Sequence, residues 1–321
     1  MKSMKMMKAI ILREPGSVEN LEFATFPIPD ILDNEVLVKV KAISINPVDA
    51  KVRKDSEMVS WLFGDQQPII LGWDISGEVV EKGKLVSSFQ CGDNVFGMVN
   101  FPGIGNAYAE YVAVPEDHLA LKPKYTSHEE AAATTLAALT AWQALSTHGR
   151  IKRNEKVIIH AAAGGVGHFA VQIAKHLGAF VTGTASEMNR TFVLSLGADE
   201  FIDYRNEEID RRVDYADFVL DTIGESVLMQ AVNSAKINGR IITLPTPDFP
   251  EEAQIAADRK NIKLFYNRVS SNGNDMRLIA ELLDSRVIRP HVSEVFGFSD
   301  IKKAHLQIES GRTVGKIVVK I

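Results

Sequence analysis

The chain has 321 residues, room for two domains or one large one. Apolar residues make up 45 %, charged residues 24 %, and the formal net charge is −5, a balance that offers no basic surface to nucleic acid. No apolar run approaches the roughly 18 residues of a membrane span, and the single cysteine, Cys91, excludes an internal disulfide or a cysteine-built zinc site. The start, MKSMKMMKAI, has lysines but no apolar core long enough for a secretory signal, so a cytoplasmic location is expected, with the first six residues loose. From residue 9 to about 125, short strands alternate with turns. Residues 35–43 alternate apolar and polar as a half-buried strand does. Residues 79–81, 95–97 and 111–114 are similar, with Gly72, Gly77, Gly83, Gly92 and Gly97 as punctuation. These features predict a compact β-rich domain. At Ser127 the texture changes: Glu130 three residues on makes a capping box for an alanine-rich helix predicted to run through Leu145. Strand patterns at 157–159, 180–184, 201–202, 217–221, 240–244 and 262–266 then alternate with helical patterns at 169–177, 189–196 and 227–235. Such alternation predicts a parallel sheet with helices on both faces. A helix over 276–283 precedes Pro290, and 315–320 is a strand predicted to return to the first domain.

Residues 156–179 read KVIIHAAAGGVGHFAVQIAKHLGA, a strand, a small-residue turn and a helix. Gly164 lets backbone approach a pyrophosphate, and Gly167 lets the helix pack closely on the strand. The amides of Gly165 and Val166, at the positive end of the helix, are donors for phosphate oxygens. Gly178 stands where a helix C-cap belongs. Ordinary tight packing is the other use of such residues, but the flanking strand and helix favour a dinucleotide site. His160 and His168 flank this turn with no partner in sight for metal or nucleophile work. His118, His128, His148, His176, His291 and His305 show no ligand spacing. Cys91 reads as a small buried hydrophobe rather than a reactive thiol.

Several phrases fit one family together: Asn46-Pro47-Val48-Asp49, Gly72-Trp73-Asp74-Ile75-Ser76-Gly77, Gly92-Asp93-Asn94-Val95-Phe96-Gly97, Tyr108-Ala109-Glu110-Tyr111, Leu139-Thr140-Ala141-Trp142, the 161–167 turn, Leu196-Gly197-Ala198-Asp199 and Val314-Gly315-Lys316-Ile317-Val318. The chain resembles the medium-chain dehydrogenase/reductases, in the zinc-free quinone oxidoreductase and enone reductase branch. The resemblance implies an α/β fold: a Rossmann doubly wound parallel-sheet cofactor domain (126–270) plus a GroES-like β-rich catalytic domain split over 1–125 and 271–321. It also implies a cleft between them. Zinc-dependent relatives place a cysteine about where Asn46 stands and a histidine where Trp73 stands. Neither amide nor indole replaces thiolate and imidazole, so zinc and Lewis-acid alcohol oxidation are not expected.

The resemblance implies that Thr140, Ala163, Gly164, Gly165, Val166 and Leu244 contact the cofactor. Its identity is read from the end of the second strand of the unit. NAD sites place an acid there for the ribose 2′-hydroxyl. Here stands Thr184-Ala185-Ser186, with Glu187 read as a helix start, Arg190 within a turn and Tyr204 after the next strand. Hydroxyl donors and a cation suit a 2′-phosphate, so NADPH is expected, contacted by Ser186, Arg190 and Tyr204. Hydride transfer needs a donor for the oxygen that gains charge; Asn46 and Lys51 are the candidates. Lys51 stands where plant enone and alkenal reductases tend to have lysine. It reads either as that donor or as a surface residue paired with Asp49 or Asp55. Asp49 reads as a loop-orienting carboxylate. Met58, Val59, Trp61, Leu62 and Phe63 either line the acceptor pocket, as Trp61 is expected to, or form a buried helix face. Tyr108 is a second pocket wall or a core residue. The expected function is reduction of a small-molecule quinone or enone, with semiquinone chemistry or a non-catalytic NADPH-binding sensor or structural role as alternatives. A homodimer through the apolar edge strand 262–266 is expected.

Overall fold

The computed structural model describes residues 5–206, 215–245 and 247–321, apart from the side chains of Glu225 and Ser226. It divides into two compact units. The first holds Met1–Leu136, Ser270–Arg286 and Pro290–Ile321, and the second holds Ala137–Val269 and Val287–Arg289. The expected loose start lies outside the described residues as far as residue 4, and Met6 already belongs to a strand.

In chain order come β1 (Met6–Leu12), β2 (Leu21–Pro27), β3 (Glu35–Ile45), α1 (Pro47–Lys54), α2 (Ser56–Phe63), β4 (Ile69–Ile70), β5 (Asp74–Lys82), β6 (Asn94–Met98), β7 (Tyr111–Pro115) and β8 (Leu119–Leu121). α3 (His128–Trp142) follows. Next are β9 (Lys156–Ile159), α4 (Gly167–His176), β10 (Phe180–Ala185), α5 (Arg190–Ser195), β11 (Glu200–Asp203), β12 (Ala216–Asp221), α6 (Glu225–Ser234), β13 (Ala235–Thr243), α7 (Glu251–Arg259) and β14 (Lys263–Tyr266). α8 (Gly273–Asp284), β15 (Val292–Gly297), α9 (Ile301–Glu309) and β16 (Lys316–Lys320) complete the chain.

The first unit is built on a seven-stranded sheet ordered β15-β16-β3-β5-β6-β8, with β7 also on β3, and a smaller sheet ordered β2-β1-β4. β16 returns antiparallel to β3, with Ile317 opposite Ile45 and Val319 opposite Ile43. This places Lys316 beside the start of α1. The capping box forms: Ser127 N donates to Glu130 Oε2 at 2.9 Å and Glu130 N donates to Ser127 Oγ at 3.1 Å. The helix it opens does not stay regular to Leu145. The α-helix ends at Trp142 and a π-helical turn covers Gln143–His148. Hydropathy periodicity does not distinguish 3.6 residues per turn from the wider π spacing over six residues. The unit boundary falls inside α3, after Leu136. On its first-unit side, Leu136 N donates to Asp74 Oδ1, and Ala132 and Ala133 pack with Ala42 and Val318.

The second unit is a six-stranded parallel sheet ordered β11-β10-β9-β12-β13-β14. Val157, Ile158 and Ile159 are wholly buried, as a central parallel strand covered on both faces requires. The order reverses between β9 and β12, and in such sheets ligands bind beyond the carboxyl ends of the strands at this switch point. Gly178, one residue past the α4 C-cap, has φ +84°, a left-handed conformation that glycine adopts without a Cβ penalty.

Candidate active site

The second unit supplies a dinucleotide cradle at the end of β9. Ala161 is held at φ +44° and accepts from Gly164 N at 2.8 Å, curling the chain into a tight turn. Ala162 N donates to Thr184 O, and Ala163 is buried. The amides of Gly165 and Val166 find no acceptor among the described residues. Two unspent N–H groups leading into α4 are what a pyrophosphate needs. A Cβ on Gly167 would stand 2.1 Å from Ala161 O, so only glycine lets α4 start this close to the turn.

Beside this turn, His160 and His168 both have structural hydrogen-bond partners. His168 Nδ1 meets Gly164 O at 2.9 Å and helps pin the turn. His160 Nδ1 meets Asp221 Oδ1 at 3.4 Å, because β9 and β12 are neighbours in the sheet although 61 residues apart in the chain. Asp221 also accepts from Ile223 N, Gly224 N and Thr243 Oγ1. Burial works to raise its carboxyl, but the His160 bond and charge and the backbone amides outweigh it and hold the group below its ordinary range. Leu244 N donates to the backbone carbonyl of Asp221 at 3.0 Å, which ties the residue that follows β13 to the end of β12. Thr140 lies buried in α3.

At the ends of β10 and β11 the polar groups expected for the ribose do gather. Ser186 is nearly buried, and its Oγ accepts from Asn189 Nδ2. Tyr204 N donates to Ala185 O, which sets the half-exposed phenol next to Ser186. Two features add to the sequence reading. Glu187 opens a 3-10 turn, as a helix start should, and Arg190 also grips it with two bonds of 2.7 and 2.8 Å while lying over the Phe201 ring at 4.5 Å. The bond and charge of Arg190 bring the Glu187 carboxyl below its ordinary range against a smaller effect of burial. The second is Arg205, which sequence reasoning passed over. It lies over the Tyr204 ring at 5.6 Å and its Nε donates to Tyr204 Oη at 3.3 Å; its backbone N donates to Asp203 Oδ1, while its guanidinium has no carboxylate partner among the described residues. A cation adjoining Tyr204 in sequence was the signal that would have found it. The residues present fit a nicotinamide dinucleotide.

The first unit holds the residues expected to handle the acceptor. Asn46 caps α1, with Pro47 at the first helical position, where its missing N–H costs nothing. Asn46 is buried and held by three bonds. Its backbone N donates to Asp49 Oδ2 at 2.7 Å, its Nδ2 donates to Asp74 Oδ2 at 2.8 Å, and its Oδ1 accepts from Lys316 Nζ. Burial pushes the Asp74 carboxyl up and the Lys316 ammonium down, each against the pull of the other. Lys51 lies on α1, exposed, and its ammonium makes no hydrogen bond or ion pair among the described residues. The pairings with Asp49 and Asp55 do not form. Asp49 is turned inward to the Asn46 amide, and Asp55 caps α2 by accepting from Glu57 N and Met58 N.

Trp73 is buried, with Nε1 donating to Gly103 O at 2.6 Å and its ring edge-on to Phe101. Among the described residues no group of three or more His, Cys, Asp or Glu side chains is placed to hold a metal ion. One expected acceptor contact needs correction. Tyr108 is a core residue and not a pocket wall: it is wholly buried, and its hydroxyl bonds His305 Nε2 at 3.0 Å. The apolar cluster of α2 divides, because a helix turns successive side chains to different faces. Val59 and Phe63 enter the core while Trp61 is 65 % exposed. A cavity of about 300 Å³ elsewhere in this unit has walls that include Met7, Phe26, Pro68, Ile104 and Tyr111. Cys91 is exposed rather than buried, in the turn before β6.

A doubly wound parallel sheet carrying a dinucleotide cradle, together with a unit of mostly antiparallel strands with a polar cluster at α1, defines a two-unit nucleotide-dependent oxidoreductase fold. Residues 32–124 match the family described as alcohol dehydrogenase GroES-like domain, and residues 196–319 match that described as zinc-binding dehydrogenase. The chain is 32 % identical to the mouse (Mus musculus) protein named NAD(P)H oxidoreductase RTN4IP1, mitochondrial, over 98 % of this chain and 89 % of that protein. It is 32 % identical to the NADPH-dependent alkenal/one oxidoreductase, chloroplastic, of Arabidopsis thaliana, over 98 % and 80 %. Among solved structures, the quinone oxidoreductase from Coxiella burnetii superposes with a TM-score of 0.91 at 35 % identity, covering 99 % of this chain and 100 % of that one. The chain belongs to the medium-chain dehydrogenase/reductase superfamily, in its zinc-free branch.

Proposed function

We propose that the chain is an NADPH-dependent reductase of quinones or α,β-unsaturated carbonyls that works without zinc, as a homodimer joined through β14. One observation carries the reading: the unspent Gly165 and Val166 amides share a sheet end with Ser186, Tyr204, Arg190 and Arg205. The names of the relatives, NAD(P)H oxidoreductase, alkenal/one oxidoreductase and quinone oxidoreductase, support it. At the places expected for zinc ligands stand an amide and an indole, both committed to other partners.

When bound, the nicotinamide supplies the hydride. The cradle amides hold the pyrophosphate. Ser186, Tyr204 and Arg205 offer donors to a 2′-phosphate, and Arg190 joins them by exchanging Glu187 for it. An exposed carboxylate three residues away is a weak, screened competitor for a doubly charged phosphate. The Lys51 ammonium donates to the carbonyl oxygen as charge builds there, an interaction that strengthens along the reaction and so speeds it.

Two measurements test this. Dissociation constants for NADPH and NADH should differ strongly in favour of NADPH. Arg205→Ala and Arg190→Ala should each weaken NADPH on the order of ten- to a hundred-fold, with NADH unchanged. Glu187→Gln should tighten NADPH; equal affinities in the parent would refute the cofactor assignment. The second measurement is NADPH oxidation against a simple enone and a simple quinone. Lys51→Met keeps the apolar stem and should lower enone turnover about 10²-fold with NADPH affinity intact. A parent that reduces neither acceptor is not this enzyme.

A further inference from the structure

Three ionisable side chains and one amide are buried together in the first unit, brought from three separate stretches. Asn46 and Asp49 open α1, Asp74 opens β5 and Lys316 opens β16. Buried charges are costly, and apolar side chains of similar volume usually hold a fold as well. Stability alone is therefore a weak account of this cluster, and its geometry gives a stronger one. Lys316 Nζ donates to Ile45 O at 3.1 Å and to Asn46 Oδ1, and lies 3.9 Å from Asp74 Oδ2. Asp74 is itself fixed, with Oδ2 accepting from Asn46 Nδ2 and Oδ1 from Leu136 N at 2.9 Å. An amide can rotate by half a turn and exchange oxygen for nitrogen at little steric cost. Here rotation would set Asn46 Oδ1 against a carboxylate and its NH₂ against an ammonium. The pair therefore permits one orientation. One Nδ2 hydrogen is spent on Asp74, and the other has no acceptor among the described residues.

We propose that Lys316 and Asp74 are positioning residues for the reduction: they lock Asn46 in the orientation that offers its remaining Nδ2–H to the acceptor oxygen. The ammonium on Oδ1 also draws electron density from the amide and strengthens that donor. In the opposite orientation Asn46 would present an oxygen to growing negative charge and oppose the reaction. This rests on the reading of the chain as a reductase in which Asn46 is a donor.

The test compares Asn46→Ala, Lys316→Met and the paired variant Lys316→Met/Asp74→Asn, each with and without Asn46→Ala. Lys316→Met keeps the stem but strands the Asp74 carboxylate, whereas the paired variant removes both charges and keeps the oxygen that accepts from Leu136 N. Steady-state turnover of NADPH with an enone, NADPH affinity by fluorescence and thermal melting are read for each. The paired variant is expected to melt near the parent, bind NADPH as the parent does and lose kcat at least tenfold. Adding Asn46→Ala should then cost nothing further, because both changes remove the same oriented donor. If Asn46→Ala lowers kcat and the folded paired variant keeps the parental value, the positioning role is refuted while the donor reading survives. If Asn46→Ala keeps parental kcat, the donor reading falls and takes this proposal with it. Failure of both Lys316 variants to fold would make the cluster structural and overturn the proposal as well.

Discussion

Two buried groups, Asp49 and His305, give the first unit a pH response of mixed sign. Burial pushes the Asp49 carboxyl up from 3.8 to about 7. The Asn46 backbone N–H, the Tyr108 hydroxyl and Lys316 pull it back, and Asp74 adds to the rise. Burial pushes the His305 imidazole down from 6.5 to about 3, aided by the charges of Arg53 and Lys54 and opposed by Glu309. For Asp49 the folded state holds its proton more tightly than the unfolded chain. Its contribution is complete below pH 3.8 and is lost as pH rises through about 7. For His305 the folded state holds its proton less tightly. Its contribution is complete above pH 6.5 and is lost as pH falls toward 3. Between about pH 4 and 6.5 the two slopes oppose, each limited to about 1.4 kcal/mol per pH unit. In urea melts of the parent these two contributions should therefore nearly cancel across this range, leaving the slope set by the other groups. Relative to the parent, Asp49→Asn, which keeps an oxygen for the Asn46 N–H, should make stability rise more steeply with pH, and His305→Gln should make it fall. Profiles of the parental slope for both variants would show that neither group titrates as described. Little of this was legible in the chain. Asn46 stood out by its place in a motif, but its partners Asp74 and Lys316 lie 28 and 270 residues away. Periodicity carries no information about which distant strand supplies a buried counter-charge. Arg205 was legible, since it adjoins Tyr204 in sequence.

At the scale of elements, the turn from β9 to α4 shows why local pattern was readable. A buried parallel strand, a run of small residues and an amphipathic helix each leave their own period, and here they follow one another within about two dozen residues. The physical demands on the glycines then separate by distance. A Cβ on Gly167 would meet Ala161 O at 2.1 Å and the Ala162 Cα at 2.8 Å, both backbone atoms that cannot move aside cheaply. A Cβ on Gly164 would meet Ala161 O at 3.2 Å and otherwise only the Ala161 Cβ at 4.0 Å. Gly167→Ala is thus expected to lower stability by about 1–3 kcal/mol, read as a shift in urea midpoint. Gly164→Ala should keep nearly the parental midpoint and show its effect in NADPH affinity, because its methyl group occupies the path by which a phosphate approaches the turn. A Gly167→Ala protein with parental stability would mean that α4 does not start against the turn. The π-helical turn at Gln143–His148 marks the limit of such reading. Its composition continues that of α3, and only the hydrogen-bond pattern changes.

For the molecule as a whole, the open question is what meets the free edge of the six-stranded sheet. β14 lies at one end of the strand order, paired on one side to β13, with Leu264, Phe265 and Tyr266 only partly covered. An edge of that kind, apolar and with unpaired backbone groups, invites another strand. A second copy related by a two-fold axis would set β14 antiparallel to itself and satisfy both edges at once. The backbone tells which groups would take part. Asn267 N donates inward to Thr243 O at 3.0 Å, and N–H directions alternate along a strand, so the amides of Leu264 and Tyr266 face the free side. Proline at an outward-facing edge position removes a donor without touching the ladder to β13. Light scattering at about 10 µM is expected to give the mass of two chains for the parent, and Tyr266→Pro is expected to give one chain with its NADPH affinity retained. A monomeric parent would refute the dimer. A dimeric Tyr266→Pro protein would place the contact on another surface, and the β14 edge would then need a different cover.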